Sequence, residues 1–112
     1  MRATEREIPI RPAAEAEATR LREGFVGSKL PDYMIEGVIL YVCHGIVPGD
    51  FLTAMLSNDA RRALDHADPP NAALLGPWFR WFARTLPGQC WGSREAFRTW
   101  VDAGGISGIS AR

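Results

Sequence analysis

Large apolar residues recur along this chain at spacings of three and four, the repeat of a helix with one buried face. The clearest run begins after Leu30-Pro31. Met34, Ile35, Val38, Ile39, Tyr41 and Val42 follow one another there, and Gly45 stands ready as a stop. Proline and Asp32 suit a first turn, proline because its missing N–H is not needed and aspartate through the helix dipole. A second stripe, Leu52, Leu56, Ala60, Leu64 and Ala67, predicts one helix of four to five turns starting at Pro48, with Asn58 and Asp59 as a weak interruption. A third, Leu74, Trp78, Phe82 and Leu86, is the most aromatic and is expected at the centre of the core. Asn71 is its expected cap, and Gly76-Pro77 predict a kink or short break. The last has Ser93 as N-cap, Phe97, Trp100 and Val101 as its inner face, and Gly104-Gly105 as its stop.

No segment alternates cleanly in the manner of a strand. The pattern therefore predicts an all-α protein, a compact bundle of about four principal helices with short loops. Before the bundle, residues 13–23 have strong helix propensity, but their face is almost all alanine and promises little burial; Gly24 is the expected stop. The expected organisation is a flexible arm over 1–12, a short helix and linker over 13–29, the helical domain over 30–104 and a flexible tail over 105–112.

A length of 112 residues is one domain's worth of chain. Hydrophobic residues make up 46%, yet 15 residues are alanine, so the core rests on fewer large side chains than that share suggests. Net charge is zero, with 13 basic and 13 acidic residues, which argues against a generic nucleic-acid binder. No apolar run approaches the roughly 18 residues of a membrane span. The charged start, Met1 to Glu7, has no apolar stretch behind it, so no secretory signal is expected and the protein is expected in the cytoplasm. Cys43 and Cys90 are then expected as free thiols. They and His44 and His66 are the only Cys and His residues, too few at suitable spacing to predict a metal site. No cofactor is implied.

The charge is unevenly spread. Residues 30–68 hold six acids against Arg61 and Arg62, while residues 69–101 hold Arg80, Arg84, Arg94 and Arg98 against Glu95. Such halves pair within the chain, which is the first expectation, or between subunits. Each arginine pair is four apart and so points one way from its helix. If the two helices are antiparallel neighbours, four guanidiniums line one groove suited to phosphate or an acidic partner. Trp91 lies between the pairs, as a core plug or a stacking platform. The turn from His44 through Pro48 and Gly49 to Asp50 is the other suggestive feature, since a helix start can attract anions. No Walker loop, nucleophile elbow, dinucleotide fingerprint or zinc-protease motif occurs.

Residues 30–100 carry the pieces Leu30-Pro31 with Met34, Tyr41-Val42-Cys43-His44-Gly45-Ile46, Pro48-Gly49-Asp50-Phe51-Leu52, Leu56-Ser57-Asn58-Asp59, Ala67-Asp68 with Asn71, and Cys90-Trp91-Gly92-Ser93. In this combination the chain resembles small proteins encoded by phages and prophages of proteobacteria. It departs from them at Ala60 and at Arg84-Thr85-Leu86. The resemblance implies a small accessory protein, expressed in a bacterial host, that counters host defence, and implies no reaction.

Together these readings predict a non-catalytic protein that sequesters an anionic small molecule such as a nucleotide signal. The expected ligand residues are His44, Pro48, Gly49, Asn58, Asp59, Arg80, Arg84, Trp91, Ser93, Arg94 and Arg98. The alternatives are an inhibitor or adaptor that binds a host or phage protein, and a nucleic-acid accessory protein. No membrane partner is expected, and self-association into a homo-oligomer is.

Overall fold

The computed structural model describes residues 10–111, with side chains from residue 12. Those residues form α-helices and short 3-10 turns, with no strand among them. The all-α class is therefore correct, but the described residues form eight α-helices where about four principal ones were expected. In chain order they are α1 (Ile10–Phe25), α2 (Ile35–His44), α3 (Asp50–Leu56), α4 (Ala60–His66), α5 (Pro69–Ala72), α6 (Leu75–Thr85), α7 (Arg94–Ala103) and α8 (Gly105–Ser110). A 3-10 turn at Asp32–Met34 leads into α2, and another at Gly88–Cys90 precedes α7.

Most of the extra elements arise where a local cap outweighs a continuous apolar stripe. The helix expected from Pro48 begins instead at Asp50 and ends at Leu56. Asn58 turns into the left-handed region with φ 62, a conformation that asparagine tolerates and a helix interior does not. Asp59 then caps α4, its carboxylate accepting the Arg62 N–H at 3.1 Å. The Leu56 carbonyl, freed at the end of α3, accepts the Gly92 N–H at 2.9 Å from the loop before α7.

A similar correction applies further on. Asp68, not Asn71, is the cap; it accepts the Asn71 N–H, and Asn71 lies inside the one-turn α5. Gly76-Pro77 fall in the first turn of α6, where no intrahelical N–H bond is due, so they cause no break.

The aromatic helix α6 does occupy the centre. The Trp78 ring is fully buried and meets Phe25, Phe51, Trp81 and Phe82 at centroid distances of 5.8–6.3 Å. Buried indole and phenol groups find partners, as their polar atoms require. Trp78 Nε1 donates to Asn71 Oδ1 at 2.8 Å, and Tyr41 Oη donates to the Cys90 carbonyl at 2.6 Å. Trp100 Nε1 reaches the carbonyls of Tyr41 and Val42 at the C-terminal end of α2, which fixes α7 against α2.

Both ends of the chain contribute more than their composition suggested. The arm expected over 1–12 lies outside the described residues except for 10–12, which open α1. That helix runs past Gly24, and its Leu21 and Phe25 are buried. Its alanine face is no obstacle, because small side chains allow close approach and Cys43 Sγ contacts the Ala14 carbonyl at 3.4 Å. Residues 105–110, read as tail, are α8. Gly104 ends α7 in the left-handed conformation with φ 81, and Gly105 with φ 66 starts the next helix. A Cβ on Gly105 would stand 2.6 Å from the Gly45 nitrogen, so the α2–α8 crossing is a backbone-on-backbone contact that only glycine permits.

Candidate functional site

The break at Asn58 has a consequence for the surface. It turns the start of α4 towards α7, and a cleft of about 480 Å³ opens between α3, α4 and α7. Its apolar lining comes from Val47, Ala54, Phe97 and Val101. Phe97 is half-buried, one face stacked on the Tyr41 ring at 5.1 Å with 7° between planes. Thr53 and Ser57 add hydroxyls, though Thr53 Oγ1 already donates to the Pro48 carbonyl at 3.2 Å.

The rim is charged. Arg62 comes from the first turn of α4 and Arg94 and Arg98 from α7, four residues apart on one face. Asp59 and Asp102 are the carboxylates of the same lining. Three guanidiniums against two carboxylates leave a net positive cleft, and Asp59 is already engaged as the α4 cap. All three arginines are exposed, so their field is screened within about 8 Å at physiological salt. α7 itself is held firmly. Ser93 accepts the Ala96 N–H at 3.0 Å, the cap its position predicted.

Of the residues expected at a ligand site, Asp59, Arg94 and Arg98 meet in this cleft. Ser93 and Asn58 shape it from outside, one as cap and one as hinge. Pro48 and Gly49 form the turn before α3; Gly49 is the N-cap, and α3 has only seven residues. Trp91 is the plug, its ring 5.5 Å from Phe82 and 6.4 Å from Phe79. His44 lies elsewhere, its Nδ1 3.0 Å from Ser107 Oγ in a separate depression beside α1 and α8. Arg80 and Arg84 lie against the end of α1 together with Lys29, so the single four-arginine groove does not form. The two arginine pairs line different concavities, Arg94 and Arg98 with Arg62, Arg80 and Arg84 with Lys29.

Sequence reading missed Arg62 and Phe97. The signal for Arg62 was present: reading Asn58-Asp59 as a true helix break would have placed Arg62 in the first turn of a new helix. Phe97 was read only as inner face.

Internal pairing of the acidic and basic segments is not what the described residues display. Among them the ion pairs are Arg20–Glu17 at 2.5 Å and Arg22–Glu36 at 2.6 Å, with His66 Nδ1 3.8 Å from Asp50 Oδ2, and none of these contacts joins residues 30–68 to 69–101. Both cysteines are free and buried, and burial pushes their thiols up, Cys43 to about 11 and Cys90 to about 12. No group of three His, Cys, Asp or Glu side chains suited to a metal occurs among the described residues, and no helix among them is long and apolar enough to cross a membrane. The chain matches no family model, no curated protein and no solved structure.

Proposed function

We propose that the protein captures an anionic small molecule of nucleotide type, without transforming it, in the cleft between α3, α4 and α7. The observation that carries this is the convergence of Arg62, Arg94 and Arg98 from two helices over an apolar floor containing Phe97. Planar guanidiniums bind phosphate oxygens in pairs, and an aromatic edge suits a base or other flat group. The cleft volume of about 480 Å³ is within the range of small-molecule sites. In keeping with the phage-like sequence pattern, the proposed role is an accessory one, sequestering a nucleotide signal that host defence depends on.

Thermal unfolding with a panel of linear and cyclic nucleotides tests the reading. A ligand at a hundredfold excess over its dissociation constant adds about 2.7 kcal/mol, a rise in Tm of roughly 10 °C for a domain of this size. The rise is expected for wild type and is expected to vanish in the Arg94→Ser/Arg98→Ser double variant. A flat response across the whole panel, or a rise that survives the double variant, refutes it.

A further inference from the structure

We infer a second oxyanion site, between the end of α1 and the C-terminal half of α6, that takes a phosphomonoester bearing an apolar arm. It is separate from the α3/α4/α7 cleft and does not depend on it.

The pocket there has a volume of about 400 Å³, and Lys29, Arg80 and Arg84 line it together with Ser28 and Trp81. No carboxylate belongs to its described lining. Part of this positive charge offsets helix ends, since α1 ends at Phe25 and α6 at Thr85 beside the pocket. Each helix C-terminus is worth about half a negative charge. The two therefore account for about one of the three cations. The local carbonyls are also already bonded: Trp81 Nε1 donates to the Gly24 carbonyl at 3.0 Å, and Arg20 donates to the Thr85 carbonyl at 2.5 Å. Arg20 adds no net charge, being paired with Glu17. About two positive charges remain in excess, close to the −1.5 to −2 of a phosphomonoester near neutral pH.

The loop that presents Lys29 is unusual. Gly27 and Lys29 both lie in the left-handed region, at φ 77 and 72. Lysine has no local hydrogen bond to offset that conformation, unlike asparagine. Ser28 Oγ accepts the Leu30 N–H at 3.2 Å and holds the loop in this shape. Val26, Gly27 and Lys29 line this pocket and also border a groove of about 600 Å³ on the loop's other side. Phe25, Leu30, Pro31 and Ile35 give that groove its apolar lining, with Arg22, which is paired with Glu36, and Asp32 as its other charged members, and Val26 stands between the two concavities at 83% exposure. A ligand whose phosphate sits among Lys29, Arg80 and Arg84 can lay an apolar arm over Val26 into the groove.

Titration of the 15N-labelled protein with inorganic phosphate, butyl phosphate and hexyl phosphate, at ionic strength matched with chloride, tests the site. Saturable shifts of the Gly27, Ser28 and Lys29 amides are expected with all three. Hexyl phosphate is expected to bind at least about fourfold more tightly than butyl phosphate, the gain from one well-buried methylene. Arg80→Ser with Arg84→Ser, both at exposed positions, is expected to abolish the shifts. Val26→Ser is expected to leave phosphate binding intact and to reduce the chain-length gain. Shifts no larger than with chloride, or shifts that persist in the double arginine variant, overturn the oxyanion site. Equal affinity for phosphate and hexyl phosphate overturns the apolar arm. Arg94→Ser/Arg98→Ser is expected to change none of these readings, which keeps the outcome distinct from that of the other cleft.

Discussion

Replacing Asn71 by alanine strikes the one buried polar side chain among the described residues, at 2% exposure. Its amide bridges two elements: Oδ1 accepts from the Trp78 indole at 2.8 Å, and Nδ2 donates to Asp68 Oδ1 at 2.9 Å. The Trp78 ring is fully buried, so in the alanine variant its N–H has neither protein partner nor water, at a cost of about 1–3 kcal/mol. Loss of the bond to Asp68 adds about 1 kcal/mol, and the better helix propensity of alanine returns about 0.5 kcal/mol. The expected loss is about 1.5–3.5 kcal/mol, a large part of the 5–15 kcal/mol that typically separates folded from unfolded domains. Urea unfolding followed by far-UV circular dichroism reads it as a midpoint lowered by about 1–2 M. A double-mutant cycle with Trp78→Phe isolates the bond. Phenylalanine has no N–H to strand, so Asn71→Ala is expected to cost at least about 1 kcal/mol less in that background. An Asn71→Ala variant within about 0.5 kcal/mol of wild type, or a coupling near zero, refutes the reasoning.

Gly105→Ala is expected to be among the most damaging small substitutions, because the new Cβ meets the Gly45, His44 and Cys43 backbone at 2.6–2.7 Å and φ is 66. Left-handed strain and overpacking sum to about 2–5 kcal/mol, whereas Gly49→Ala, with open space and φ −65, is expected to stay within about 0.5 kcal/mol by urea unfolding. The Tyr33 hydroxyl and the Asn71 N–H hold the Asp68 carboxyl below its ordinary value. A depressed folded pKa stabilises above the unfolded value near about 4, and the effect is lost as pH falls through the folded pKa. The urea midpoint of Asp68→Asn is thus expected to lie below wild type at neutral pH and to converge with it in acid; a gap that stays constant with pH contradicts this. The raised thiols of Cys43 and Cys90 are expected to make reaction with a disulfide reagent at about pH 8 no faster than unfolding, so a fast phase in native protein would contradict their burial.

Periodicity alone determined that this chain is helical and that the Trp78–Phe82 segment lies at the centre, because a buried face imposes its spacing on the residues that line it. Local chemistry fixed several ends as well: Ser93 caps α7, and Gly45 and Gly104 close helices in left-handed conformations. Other features became visible only in three dimensions. An unbroken stripe from Leu52 to Ala67 gives no sign that the Leu56 carbonyl finds the Gly92 N–H, the contact that ties the end of α3 to the loop before α7. Glycines after α7 read as a tail until Gly45, distant in sequence, supplies the backbone they pack against. Arginine spacing established that each pair shares a face, yet not that Arg80 and Arg84 join Lys29 while Arg94 and Arg98 join Arg62. A spacing rule acts within one element, through bonds a few residues long. Which elements become neighbours depends on the summed burial of the whole chain, and no single segment carries that information.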